Sequence, residues 1–137
     1  MAVNEFLWPI RVYYEDTDSG GVVYYANYLK FMERARTEWL RSKGFEQDAL
    51  FASDKIIFAV RSVQVDYLKP GRFNQQLYVS VKLRSAGKAS MEFEQKVLFG
   101  NEHKIELCTG IVKIACLDAE TFRPKAIPQV MFREINR

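Results

Sequence analysis

The sequence contains 137 residues, the size of a single domain, and we expect one domain over residues 1–137. Hydrophobic residues make up 48% of the chain and aromatic residues 14%, so a packed core is expected and intrinsic disorder is not. The 20 Lys and Arg residues against 17 Asp and Glu residues give a net charge of +3, which argues against a dedicated nucleic-acid-binding protein and suits a small anionic ligand.

The first predicted element is a strand over residues 7–14, because apolar side chains alternate there. They are Ile10, Val12 and Tyr14. Pro9 lacks a backbone N–H donor and is therefore typical of an edge strand or a strand start. An acidic loop, residues 15–21, follows this strand and ends in two glycines.

The second predicted element is a long helix from about Tyr24 to Lys43. Apolar residues recur there at the spacing of a single helix face, and charged residues occupy the opposite face. The apolar residues are Tyr28, Phe31, Met32, Ala35 and Trp39. Gly44 follows at the position where a glycine commonly ends a helix.

Four further strands are predicted from residue 57 onward, because apolar and polar residues alternate there. In the first of them, we expect one face to be shared by Ile57, Ala59, Val63, Val65 and Tyr67. The other three cover residues 77–84, 91–99 and 103–117, with turns at 85–88 and 100–101. Gly110 predicts a β-bulge in the last strand. Residues 128–136 predict a short terminal helix that has Pro128 in its first turn.

The predicted order is one strand, one long helix and at least four strands joined by hairpins. This order indicates an α+β domain in which the helix lies on one face of an antiparallel sheet. A sheet of this kind that curves around a heavily apolar helix is the hotdog fold.

Three features of the sequence, the pair of cysteines among them, predict a cytoplasmic protein. The N-terminus lacks the pattern of a signal peptide, and no stretch reaches the roughly 18 apolar residues of a spanning helix. Cys108 and Cys116 lie in one predicted strand, about 26 Å apart, which is too far for a disulfide bond. We therefore expect two reduced core cysteines.

The residue inventory argues against most catalytic chemistries. His103 is the one histidine, and its place at a predicted hairpin end is typical of an exposed turn residue. A catalytic triad would need the fold to bring it to a nucleophile and a third group. The three His and Cys residues, all on one predicted strand, do not suggest a zinc site. The chain has no nucleotide-binding glycine motif, and we expect neither a metal nor a cofactor.

The acidic loop before the helix is the remaining polar cluster. A helix N-terminus offers unpaired N–H groups and a partial positive charge, so it can polarise a carbonyl as an oxyanion hole does. A carboxylate beside it could attack a thioester or activate water, and Gly20 and Gly21 would allow close approach of the backbone. Taken alone, however, the loop favours the alternative that Asp16 and Asp18 cap the helix.

A longer stretch of sequence favours the catalytic interpretation. The runs RVYYEDTDSGGVVYYANY (residues 11–28) and FMERARTE (residues 31–38) resemble the YbgC-like acyl-CoA thioesterases. These form the Tol-Pal-associated branch of the 4-hydroxybenzoyl-CoA thioesterase family of hotdog proteins, and residues 65–70 also fit that family. The resemblance implies hydrolysis of acyl-CoA without a metal or a cofactor.

The resemblance also implies which residues act. The second aspartate of the family's D-x-D loop is Asp18 here, and it is implied to be the nucleophile, through a mixed anhydride, or the general base on water. Asp16 is implied to orient the loop. The backbone N–H that contacts the oxyanion maps onto Tyr25, where many relatives of this branch carry His. That exchange leaves the amide in place but changes the side chain.

The same resemblance implies which subunits and ligands this chain binds. Relatives form dimers in which two sheets join, often paired into tetramers, so a homodimer or homotetramer with acyl-CoA sites at subunit boundaries is implied. Gly21 is a candidate for contact with the substrate. Cations must bind the CoA phosphates, and the candidates are Arg61, Lys82, Arg84 and Lys88. Acyl carrier protein is an additional candidate partner, compatible with the net positive charge.

Two other functions remain open from the sequence. A hotdog hydratase or dehydratase places a histidine in its active site, and His103 is far from the helix in sequence. A non-catalytic acyl-CoA sensor, or an assembly partner in envelope or lipid-synthesis complexes, would use the same pocket-forming fold. The absence of a histidine at Tyr25 motivates this second alternative.

Overall fold

The computed structural model describes residues 5–137, and its elements follow the predicted order with one added helix. The strands are β1 (Phe6–Arg11), β2 (Ile56–Tyr67), β3 (Gln76–Ala86), β4 (Ser90–Phe99) and β5 (Ile105–Asp118). The helices are α1 (Asn27–Ser42), α2 (Gln47–Asp54) and α3 (Gln129–Ile135). Short 3₁₀ turns cover Tyr14–Asp16 and Asn101–His103. No helix within residues 5–137 has the length and hydropathy needed to cross a membrane.

The five strands form one antiparallel sheet in the order β1-β3-β4-β5-β2. Helix α1 lies on one face of this sheet and contacts β1, β3 and β4. The α+β prediction is therefore confirmed. Strand β1 is an edge strand that pairs only with β3, which agrees with the interpretation of Pro9. Strand β2 forms the other edge.

The core lies between α1 and the sheet. Phe31, Met32 and Ala35 of α1 are fully buried against strand residues such as Phe93 and Val112, in one connected cluster. Each large apolar side chain buried there stabilises the fold by about 1.5–3 kcal/mol. The heavily apolar stripe of α1 is what holds the helix on the sheet.

Helix α1 ends as the sequence predicts. The backbone N–H of Gly44 donates to the carbonyl of Arg41, and the N–H of Phe45 donates to the carbonyl of Leu40, both at 3.0 Å. Gly44 has a φ of +94°, a conformation that glycine adopts without steric cost. These two bonds form the Schellman motif that closes a helix. The start of α1 differs from the prediction, because regular helix begins at Asn27 and a turn precedes it.

The predicted face of β2 is wrong in its first half. Val60 pairs with Ile114 and Ser62 pairs with Lys113, so Arg61 is an extra residue in a β-bulge. Up to the bulge it is therefore the even-numbered side chains that face the core, and Ile57 and Ala59 face the other side. After the bulge, Val63, Val65 and Tyr67 share the core-facing side, as predicted.

The bulge predicted at Gly110 is also wrong. Gly110 pairs in register with Val65 and Gln95. A Cβ atom at this position would lie 3.1 Å from Cε of Met32, so glycine allows α1 to approach the sheet closely. The register shift between β4 and β5 occurs instead beside Val97 and Leu98.

Helix α2 was not predicted. Its one buried residue is Leu50, so its sequence has no apolar stripe from which a helix could be recognised. Lys55 ends it in a left-handed conformation with a φ of +57°. The terminal helix α3 was predicted, and Pro128 is its N-cap residue.

Candidate active site

The loop between β1 and α1 is held in place through Asp16. Its carbonyl oxygen accepts hydrogen bonds from the N–H of Tyr24 and from Nδ2 of Asn27, both at 2.9 Å. Its carboxylate is 7% exposed and accepts the N–H of Tyr13 at 2.8 Å. Because the carbonyl and the carboxylate of Asp16 both hold neighbouring backbone in place, these contacts suit a residue that orients the loop.

Asp18 has a different environment from Asp16. Its side chain is exposed, and Oδ1 accepts the N–H of Gly20 at 2.8 Å. Its N–H donates to the carbonyl of Val22 at 2.9 Å, and the N–H of Gly21 donates back to its carbonyl at 3.1 Å. Gly21 has a φ of +77°, which favours glycine. Within residues 5–137, Oδ2 of Asp18 accepts no hydrogen bond, so this oxygen is free to react.

The start of α1 supplies unpaired donors. The N–H of Asn27 donates to the carbonyl of Tyr24 at 2.8 Å, whereas the N–H groups of Tyr25 and Ala26 have no acceptor in the described part of the chain. Ala26 is the N-cap residue and makes no side-chain capping bond. Neither aspartate caps α1, so the capping alternative is wrong, and the donors are available to a ligand.

The loop folds back on itself and places Asp18 and Tyr25 at opposite ends of a short antiparallel ladder. Thr17 pairs with Val23, and the N–H of Tyr24 bonds to Asp16. Three residue steps along such a ladder separate Asp18 from Tyr25, or roughly 10 Å between Cα atoms.

A pocket lined by tyrosines lies beside the start of α1. Its volume is about 280 Å³, and its lining consists of Val23, Tyr25, Tyr28, Tyr67 and residues 68–70. Oη of Tyr28 accepts the N–H of Gly71 at 2.8 Å. Burial raises the pKa of Tyr28 and of Tyr67 above the usual value, so both rings are neutral near pH 7.

Comparison with known proteins identifies the family. Residues 20–105 match the family model described as Thioesterase superfamily. The chain is 40% identical over 137 residues to Acyl-CoA thioester hydrolase YbgC of Escherichia coli O157:H7, covering 100% of both chains. It is 40% identical over 129 residues to Acyl-CoA thioesterase YbgC of Haemophilus influenzae, covering 94% of this chain and 93% of that one. This chain belongs to the YbgC-like acyl-CoA thioesterases.

A solved structure supports the same assignment. The crystal structure of a probable thioesterase from Bartonella henselae is 32% identical, with a TM-score of 0.85, and the match covers 90% of this chain and 99% of that one. The likeness to such structures confirms the predicted hotdog fold. Family membership makes this chain a thioester hydrolase and favours that function over the hydratase and the non-catalytic sensor.

The candidate CoA-binding residues of this thioesterase are spread over the sheet. Gly21 is in the turn of Asp18, whereas Arg61 is exposed on the β2 bulge. Arg84 is 3.6 Å from Glu92, and Lys88 lies in the turn after β3. The Asp18 loop meets the start of β3, whereas Arg84 and Lys88 lie at the end of that strand. In the same subunit they are therefore roughly 30 Å from the loop. Exposed Lys82 lies on β3 between the two ends.

Two cations near the loop of this thioesterase were not predicted from the sequence. Arg72 forms a β-bridge with Val22, and Lys69 lines the tyrosine pocket. The N–H of Val23 donates to the carbonyl of Gly71 at 2.8 Å, which ties this segment to the loop. In the sequence, both cations look like ordinary surface residues, and only these pairings place them at the site. Asn27 was also missed, since its contact with Asp16 spans 11 residues.

His103 lies in the turn before β5, as predicted. It is half-buried instead of exposed, because its ring packs against Tyr78 with centroids 4.0 Å apart. Cys108 and Cys116 are both buried and free, as the sequence predicts.

Proposed function

We propose that this thioesterase hydrolyses acyl-CoA with Asp18 as the reacting carboxylate and the backbone N–H of Tyr25 as the donor to the thioester carbonyl. The observation that carries the proposal is an exposed carboxylate with a free oxygen in the loop that leads into a helix start whose first donors are unpaired. Asp16 and Asn27 position the loop between the two groups.

In the general-base route, Asp18 takes a proton from water as the water oxygen attacks the carbonyl carbon. The electron pair of the C=O bond moves to its oxygen, where the Tyr25 N–H stabilises the charge. Collapse of this intermediate breaks the C–S bond and expels the CoA thiolate. The thiolate then takes up the proton, and the free acid remains. Because a thiolate is a good leaving group, no strong general acid is required.

In the nucleophilic route, an Asp18 oxygen attacks the carbonyl carbon and the thiolate leaves, which produces a mixed anhydride. Water then cleaves the anhydride and restores the carboxylate. Rapid-quench measurements separate the two routes. The nucleophilic route predicts that thiol is released before free acid, whereas the general-base route predicts equal amounts of both at all times.

The test of the site is Asp18→Asn, which keeps the size of the side chain and removes its basicity. We expect kcat for an acyl-CoA to fall by roughly 10²–10⁴. Asp48→Asn is a matched control, because Asp48 is also exposed and bonds only to the neighbouring N–H of Ala49. Equal activity of the two variants would remove Asp18 from the mechanism.

The role of Tyr25 is tested through its backbone. Tyr25→Phe keeps the N–H donor and should retain most of the activity, whereas Tyr25→Pro removes the donor and should lower kcat by roughly 10²–10³. A large loss in Tyr25→Phe would instead assign the role to the hydroxyl group.

We further propose a homodimer that joins two β2 edges, with a second pairing into a homotetramer. Strand β2 is a 12-residue edge, whereas the β1 edge has six residues and contains Pro9. Val60 and Val63 of β2 are exposed apolar residues that a partner would cover. Light scattering should give a multiple of 16.0 kDa, and Val60→Asp should shift it toward the monomer. A monomeric wild-type protein would contradict this assembly.

An antiparallel pairing of two β2 strands would give the cations that lie far from Asp18 in their own subunit a place near the site of the other subunit. The two sheets would run in opposite directions, so Arg84 and Lys88 of one subunit would lie toward the Asp18 end of the other, with Arg61 near the boundary. We expect Lys88→Ala to raise KM for acyl-CoA and not for the acyl thioester of N-acetylcysteamine, which lacks phosphates. An equal change for both substrates would contradict a phosphate contact.

Two further proposals concern the setting of the enzyme. The net charge of +3 supports acyl carrier protein as a second substrate carrier, and hydrolysis of one acyl group on both carriers tests it. The two buried free thiols support a cytoplasmic location, which cell fractionation tests.

A further inference from the structure

Three tyrosine rings meet in the pocket beside the proposed carbonyl donor. The centroids of Tyr25 and Tyr67 are 6.0 Å apart with the rings at 83°, an edge-to-face arrangement. The centroids of Tyr28 and Tyr67 are 5.7 Å apart with the rings at 50°. Tyr67 therefore contacts both of the other rings and is the centre of the aromatic cluster.

Two rings of this cluster can be reached by a bound group, Tyr67 and Tyr25, which is 59% exposed. Tyr28 is only 3% exposed, and its hydroxyl is already engaged with Gly71, whereas Tyr67 is 46% exposed at the end of β2. The remaining lining is aliphatic apart from Lys69. A group that enters the pocket therefore meets the Tyr67 ring.

We propose that Tyr67 is a specificity-determining residue that makes this thioesterase favour planar, unsaturated acyl groups over saturated groups of the same size. The inference rests on the proposed function, because a carbonyl bound at the Tyr25 N–H directs its acyl group into the pocket that Tyr25 and Tyr67 line. The pocket is an open groove of about 280 Å³, which is more space than the roughly 150 Å³ of a cavity known to bind benzene.

The physical reason for the preference is the charge distribution of aromatic rings. A planar π system can pair its edge or face with Tyr67, and such pairs are more favourable than their buried area alone predicts. A saturated ring of equal size buries a similar area but offers no complementary quadrupole. Because Tyr67 is neutral near pH 7, its ring keeps this character under ordinary assay conditions.

The test compares benzoyl-CoA with cyclohexanecarbonyl-CoA, whose acyl groups have the same carbon skeleton. The quantity measured is the ratio of their kcat/KM values, compared between variants so that intrinsic reactivity cancels. Tyr67→Leu should lower the benzoyl preference about tenfold, equivalent to about 1.4 kcal/mol. Tyr67→Phe should keep the ratio within about twofold, because it keeps the ring. Phe122→Leu is the control, since Phe122 is exposed in a separate turn.

A second measurement does not depend on turnover. Calorimetry on Asp18→Asn should show that benzoyl-CoA loses about tenfold in affinity when Tyr67→Leu is added, whereas cyclohexanecarbonyl-CoA changes little. Tyr67→Met replaces Tyr67→Leu if the latter does not fold. An unchanged ratio in both the kinetic and binding measurements would overturn the assignment, as would a change in oligomeric mass without a change in the ratio. Failure of Asp18→Asn to stop hydrolysis would instead contradict the proposed mechanism.

Discussion

Separate replacement of Asp16 and Asp18 should distinguish stability from catalysis within one loop. Asp16→Ala removes the carboxylate that accepts the Tyr13 N–H at 2.8 Å, in a site where the residue is 7% exposed. The change leaves the part-buried Tyr13 N–H without an acceptor and removes a buried side chain, so we expect the free energy of unfolding to fall by about 2 kcal/mol. In a chain of this length that corresponds to a Tm lower by roughly 6–10 °C.

Asp18→Asn should behave in the opposite way. Its amide oxygen can still accept the Gly20 N–H, and the side chain is exposed, so we expect Tm to change by no more than about 2 °C. In the proposed mechanism activity depends on the carboxylate as base or nucleophile, so kcat should fall by roughly 10²–10⁴. In the proposed mechanism the buried aspartate thus positions the loop and the exposed one takes part in the reaction.

The assay combines thermal unfolding, followed by circular dichroism, with thiol release from an acyl-CoA at 20 °C or more below the lower Tm. Below its Tm, Asp16→Ala should lose at most roughly 10²-fold in kcat and less than Asp18→Asn, because it displaces the loop but keeps the reacting group. A loss in Asp16→Ala as large as that in Asp18→Asn would refute the division of roles. So would a fall in Tm for Asp18→Asn equal to that for Asp16→Ala.

Three further predictions concern other contacts of the fold. Arg36 donates a hydrogen bond to the fully buried Gln95 at 2.9 Å, so Arg36→Leu and Gln95→Leu should each destabilise the fold by about 2 kcal/mol. The double variant should be destabilised by less than the sum of the two. Additive effects in urea unfolding would contradict this coupling. Gly71→Ala should lower kcat/KM, because its Cβ would lie 3.2 Å from Oη of Tyr28, and unchanged kinetics would show that the pocket tolerates the shift. Burial raises the pKa of Cys108 to about 12 and of Cys116 to about 11. The thiols of the unfolded chain therefore ionise first as the pH rises above about 9, and the free energy of unfolding should decline. In a Cys108→Val variant the free energy of unfolding should decline less steeply with pH.

The parts of the fold that were predicted correctly depend on local patterns. The apolar stripe of α1 and the glycine at position 44 are contained within one stretch of sequence, and the helix ends there through two local bonds. Pro9 predicted an edge strand because a missing donor restricts proline wherever it stands in a sheet. Such features can be recognised in the sequence without knowing which distant residues they contact.

The features that were missed depend on partners distant in sequence. The bulge at Arg61 is visible only in the pairing of β2 with β5, and it reverses the facing of Ile57 and Ala59. Gly110 resembles a bulge residue in sequence, whereas its actual role is to accommodate Met32 from α1, 78 positions earlier in the chain. Helix α2 has one buried residue, so hydrophobic periodicity contains almost no information about it.

The same distinction explains why the reaction could be predicted and the acyl preference could not. The proposed carboxylate and carbonyl donor lie within residues 18–25, a continuous segment that contains both halves of the chemistry. The proposed acyl pocket also requires Tyr67 and residues 68–70, which the bond between Val23 and Gly71 brings to the loop. A relative that keeps residues 11–28 but replaces Tyr67 with an aliphatic residue should therefore catalyse the same reaction with a lower ratio of benzoyl-CoA to cyclohexanecarbonyl-CoA hydrolysis. Exchange of residues 67–70 between two such proteins should transfer that ratio, because the pocket wall and the reacting groups come from separate parts of the chain.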